Sequence, residues 1–66
     1  MRKPTPAEVR ALLARHDITQ AEAASRIGRN GPRSVNRWCS EASATQMPVD
    51  AALRLWAACG ETWTGH

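Results

Sequence analysis

The sequence predicts an all-α fold, a compact four-helix domain whose second and third helices cross as a helix-turn-helix. Three observations lead there. Apolar residues recur at three- and four-residue spacing in four short stretches. Each stretch opens on a capping threonine or a proline, and glycine follows two of them, at Gly28 and Gly60. No stretch alternates with period two long enough to be a strand, and there is no internal repeat.

The first helix is expected from about Pro6 to Arg15 or His16. Thr5-Pro6-Ala7-Glu8 is a strong start, with an N-cap threonine, proline at the first helical position and glutamate at the third. Val9, Leu12 and Leu13 follow at helical spacing, and His16-Asp17 reads as a helix end before a tight connection. The second helix is expected over Gln20 to Ile27. Thr19 caps it, and Glu22 stands where a second capping box would close. Ala23, Ala24 and Ile27 form its apolar stripe, and Gly28 supplies the left-handed stop.

The third helix is expected from about Pro32 to Ser40, with Pro32 in its first turn, where a missing N–H costs nothing. Ser40 to Met47 is small and polar and reads as a loop. Pro48 opens a fourth helix whose inward stripe is Val49, Ala52, Leu53, Trp56 and Ala57, with Leu55 off that stripe and Gly60 as the stop.

The 66 residues make a single domain, 1–66, with its core over about 5–60. Met1 to Pro4 is a short basic tail, expected to be mobile, with Arg2 and Lys3 either solvated or near a phosphate. The other tail, Glu61 to His66, has no periodic pattern but contains Trp63. A tryptophan there needs a partner surface, either the edge of its own core or a second subunit. Leu55 and Trp63 are therefore candidate contacts of a homodimer.

The third helix is the most informative element. At 3.6 residues per turn, Val35, Trp38 and Cys39 fall on one side. Arg33, Asn36, Arg37 and Ser40 fall opposite, with Ser34 on the edge. Guanidinium, amide and hydroxyl groups are the side chains that read base edges and hold phosphates. Most surface helices also carry a solvated polar face, so this helix alone leaves both readings open. Composition leans toward nucleic acid. The net charge is +3, with eight arginines and one lysine. Arg26, Arg29, Arg33 and Arg37 lie between Glu22 and Glu41 with no acidic residue among them.

The sequence resembles the Cro/C1-type (Xre-like) helix-turn-helix domain. The residues that carry the resemblance are Ile18-Thr19-Gln20, Ala24, Ile27-Gly28, Val35 and Arg37-Trp38, with Pro48 and the Leu53/Trp56/Ala57 stripe as the fourth core helix. It covers roughly Thr5 to Gly60. More loosely, the chain resembles small phage-borne regulators that accompany anti-CRISPR genes. The resemblance implies a lambda-repressor-like fold and sequence-specific binding of double-stranded DNA. It implies that Arg33, Ser34, Asn36 and Arg37 read bases in the major groove, and that Gln20, with Thr19, Arg29 and Ser40, holds phosphates. Gly28 to the inner β-branched residue is usually six positions in this family and is seven here, at Val35. The turn is one residue longer, which leaves Arg33 either a first-turn residue aimed into the groove or a phosphate contact at its edge.

The function expected is a transcription regulator, a repressor that occludes a promoter by binding a palindromic operator as a homodimer. One domain reads only about one half-site, and two half-sites about 34 Å apart supply useful specificity. The competing class is a protein-interaction module, an antitoxin-like helical domain without DNA binding. Its third helix would present an apolar or acidic outer face, and this one does not. An RNA reader would want an aromatic stacking platform. No enzyme is expected. The core is too thin for a large enclosed active site, and no serine or cysteine has a base at usable spacing. Cys39, Cys59, His16 and His66 lack the paired spacing of a zinc site, so neither a metal nor another cofactor is expected, nor a small-molecule effector. The cysteines read as buried free thiols in a reducing cytosol. No signal-peptide pattern and no apolar run near ~18 residues is present, so the expectation is a cytoplasmic chain without a membrane span.

Overall fold

A computed structural model describes residues 1–28, 32–42 and 45–65. Four helices follow one another: α1 (Pro6–Arg15), α2 (Gln20–Ile27), α3 (Pro32–Cys39) and α4 (Val49–Ala58). The all-α, four-helix architecture is as the periodicity predicts. The described residues include no strand, and none of their helices is long and apolar enough to cross a membrane.

The helix ends follow from local chemistry. At the start of α1, the Glu8 N–H donates to the Thr5 hydroxyl at 3.2 Å and the Thr5 N–H donates to the Glu8 carboxylate at 2.9 Å, a complete capping box. At the start of α2, the Glu22 N–H donates to the Thr19 hydroxyl at 3.1 Å. The Glu22 carboxylate instead accepts from Arg26 one turn on, at 3.0 Å, so the expected second box is half made. Helices α1 and α4 close in the same way. The Asp17 and Ile18 N–H groups donate back to the carbonyls of Ala14 and Leu13. Those of Gly60 and Glu61 donate to Ala57 and Trp56. Each is a Schellman motif with its pivot in the left-handed region, Gly60 at φ 80° and Asp17 at φ 53°. Aspartate is among the few side chains that tolerate this conformation. Gly28, at φ 76°, ends α2 as predicted.

Helix α2 packs against α3 and α4, and α1 packs against α3. Val9, Leu12 and Leu13 of α1, and Ala23, Ala24 and Ile27 of α2, are buried as their spacing predicts. The alanines keep that face of α2 flat enough for close approach by its neighbours. Helix α4 departs from expectation. Its buried residues are Ala51, Ala52, Leu55 and Trp56, whereas Leu53 is 39% exposed and Ala57 lies on the surface. The sequence Val-Asp-Ala-Ala-Leu-Arg-Leu-Trp-Ala-Ala is apolar almost throughout, so apolar spacing alone does not select a face. Its two polar residues do. At about 100° per residue, Asp50 and Arg54 lie about 40° apart, with Leu53 and Ala57 beside them and Ala52, Leu55 and Trp56 opposite.

This rotation also corrects the candidate dimer contacts. Leu55 is fully buried, and Trp63 is 5% exposed because it folds back onto its own domain. Its ring lies 4.9 Å from that of Trp56, tilted by 54°. The indole N–H donates to the Arg2 carbonyl at 2.9 Å, and the Arg2 guanidinium sits 5.2 Å over the ring. The basic N-terminal segment, expected to be mobile, is thereby held in place. Arg2 pairs with Glu8, and Pro4 is fully buried. Met47, expected in a polar loop, is fully buried as well.

Two outcomes follow. Trp38 lies inside and Arg37 outside. Trp38→Ala should cost about 3–5 kcal/mol, a large share of what so small a domain has, while Arg37→Ala leaves it folded. Thermal melts check both; equal melting temperatures for Trp38→Ala and wild type would mean the faces of α3 are misassigned. Second, the Arg2 guanidinium, and then the Thr5 N–H, hold the Glu8 carboxyl at about 2, below its ordinary 4.5. That contribution to stability is complete above about pH 4.5 and is lost as pH falls through about 2. The melting temperature of Glu8→Gln should therefore fall less than that of wild type between those pH values.

Candidate nucleic-acid interface

Helix α3 begins at Pro32. Arg33 is therefore a first-turn residue. Val35, Trp38 and Cys39 are buried, and this fixes the rotation of the helix. Arg33, Asn36 and Arg37 are exposed as a consequence, and Ser34 and Ser40 are half-buried at the borders. The three exposed residues stand at i, i+3 and i+4, so they share one face. No acidic residue lies in the first turn of α3.

A long-range contact holds the far end of this helix. One Arg10 amino group on α1 donates to the Cys39 carbonyl at 2.9 Å, at the last residue of α3. The other donates to the Glu41 carboxylate at 2.8 Å. Past Cys39 the chain leaves the helix in a turn, with the Ser40 N–H donating to the Arg37 carbonyl at 3.2 Å. A cation at a helix C-terminus, bonded to one of its last carbonyls, is favourable on both counts. Sequence reading missed Arg10, because its partners lie 29 and 31 residues away.

The arginines divide by role. Arg2 pairs with Glu8, Arg10 with Glu41, Arg15 with Glu61, and Arg26 with Glu22. Arg26 also donates to the Ala58 carbonyl at 3.1 Å, tying α2 to the end of α4. Arg26 thus serves the fold, although its place in the basic stretch had suggested a share in the footprint. Among the described residues, Arg33 and Arg37 on α3 and Arg54 on α4 take part in no ion pair. Arg29, expected on a phosphate, lies outside the described residues, as does the rest of the turn at 30–31.

At the start of α2, Thr19 is exposed and Gln20 is half-buried. The Thr19 oxygen already accepts the capping N–H, which leaves its O–H to donate outward. The structure thus places Thr19 and Gln20 at the opening of one helix, and Arg33, Ser34, Asn36 and Arg37 along the helix packed against it.

Elsewhere the chemistry is structural. His16 and Arg15 both meet the Glu61 carboxylate, which joins the end of α1 to the end of α4. Arg15, and then His16, hold that carboxyl below the usual range. Cys39 and Cys59 are free thiols, and burial pushes both upward. Among the described residues, no group of three or more histidines, cysteines and carboxylates is placed to hold a metal ion. No family model matches the chain, and no curated protein or solved structure matches it either.

Proposed function

We propose that the protein is a sequence-specific DNA-binding transcription regulator in which α2 and α3 act as a helix-turn-helix, with α3 in the major groove. One observation carries the reading. The buried inner face of α3 turns Arg33, Asn36 and Arg37 outward together, and Arg33 and Arg37 enter no ion pair among the described residues. A guanidinium can hold guanine O6 and N7 as a bidentate pair, and an asparagine amide can do the same with adenine N6 and N7. Gln20, at the first turn of α2, is suited to a phosphate, which fixes register without reading sequence.

Occlusion of a promoter is the simplest way for such a domain to act, which makes it a repressor. The domain measures 28 × 25 × 21 Å, enough for about one half-site. Two copies on a palindromic operator, their recognition helices about 34 Å apart, would supply the rest of the specificity. Such a homodimer meets through surfaces other than Leu55 and Trp63, which are buried within each copy. Cytoplasmic localisation belongs to the same proposal.

The test is a mobility shift with the operator and its saturation-mutated set, run over a range of salt. Log affinity should fall with log salt by about 0.9 per phosphate neutralised, with a slope matching several contacts. Arg33→Ala and Asn36→Ala should each relax preference at one or two base positions, by roughly 1–3 kcal/mol. Gln20→Ala should weaken binding to every sequence by a similar factor. A flat salt dependence would rule out DNA as the partner. Uniform loss in Arg33→Ala with the preferred sequence unchanged would make Arg33 a phosphate clamp.

A further inference from the structure

Along α3 and its continuation, Arg33, Arg37 and Glu41 stand at successive four-residue steps. Four-residue steps place side chains one above another on a helix, and an arginine and a glutamate so placed pair readily. Were α3 to run on by half a turn, Glu41 would stand one turn above Arg37, one of the two outward guanidiniums on which the proposed DNA contact depends, though in the weaker of the two orders. The structure shows another arrangement. Helix α3 stops at Cys39, and the turn that follows carries Glu41 to α1. There Arg10 binds the Cys39 carbonyl with one amino group and the Glu41 carboxylate with the other. A single side chain thus holds both the end of the helix and the acidic group that follows it.

We infer that Arg10 is a positioning residue for DNA binding: by engaging Glu41 it keeps that carboxylate off Arg37 and leaves the Arg37 guanidinium for a phosphate or a base. The inference rests on the DNA-binding reading. Arg10 itself need touch no nucleic acid. Its loss frees the Glu41 carboxylate, four residues along the chain from Arg37, to compete with the phosphate.

The experiment compares the full chain with Arg10→Gln, Glu41→Gln, the double variant and Arg10→Lys, by fluorescence anisotropy on one labelled duplex across a salt series. Glutamine at position 10 loses the charge that holds Glu41 and, being two atoms shorter, also gives up the bond to the Cys39 carbonyl, a loss that the double variant shares. Arg10→Gln should bind more weakly, with its salt slope reduced by up to about 0.9, one phosphate contact. Adding Glu41→Gln should restore the slope, because no carboxylate is then left to compete. Glu41→Gln alone and Arg10→Lys, which keeps the cation, should bind as wild type does. A purely structural Arg10 would leave the double variant as weak as Arg10→Gln, and that result overturns the inference. Full affinity in Arg10→Gln, or lost slope in Arg10→Lys, overturns it too. If the wild type itself shows no salt-dependent binding, the DNA reading falls and takes this inference with it. If the wild type binds and Arg10→Gln is unchanged, only the inference falls.

Discussion

Val35, Trp38 and Cys39 are withdrawn from water where α3 packs on α1 and α2, and the helix that carries them has only eight residues. Few other rotations are open to so short a helix with one apolar side. Turning it by one residue would expose the indole of Trp38 and bury a guanidinium without a partner, and an unpaired buried charge costs far more than the apolar contact returns. The outward placement of Arg33, Asn36 and Arg37 is therefore a consequence of packing. The proposed function needs no further device to aim them.

Arg10, Arg15 and Arg26 show how a small domain uses charge when its core is thin. Arg10 reaches the last carbonyl of α3, and Arg26 reaches the last carbonyl of α4. Arg15, in the last turn of α1, pairs with Glu61 just beyond α4. In each case a guanidinium links the end of one helix to a different element. Exposed ion pairs are individually weak. Bonds to otherwise orphaned helix carbonyls add to them, and together they fix how the helices meet. The termini complete the core in the same spirit, since Trp63 covers Trp56 and its indole N–H is satisfied by the Arg2 carbonyl.

Much of this was legible in the sequence because it is local. Thr5-Pro6-x-Glu8 and Gly28 mark helix ends by chemistry within a few residues, and the alternation of faces on α3 is unambiguous because its polar and apolar residues are both well represented. On α4 the apolar spacing places Ala52 and Trp56 inside, as they are, but misplaces Leu53, Ala57 and Leu55, because eight of its ten residues are apolar and only the pair Asp50 and Arg54 carries the signal. Met47, Pro4 and Trp63 could not be placed from spacing, since each is buried by elements distant in sequence. The same holds for Arg10 at the candidate interface. Arg26 lies in the basic stretch between Glu22 and Glu41, yet folding sets it at the end of α4.

Under the proposed function the face of α3 opposite Trp38 meets DNA. Its most direct test is backbone amide chemical-shift mapping of the 15N-labelled protein, titrated at low salt with a short duplex of arbitrary sequence. Weak, sequence-independent binding is enough for this purpose. Perturbations should concentrate on Arg33 to Arg37 and on the first turn of α2, with none around Leu53 and Ala57 on α4. Shifts centred on the outer face of α4, or no shifts at all at low salt, would contradict the proposed function.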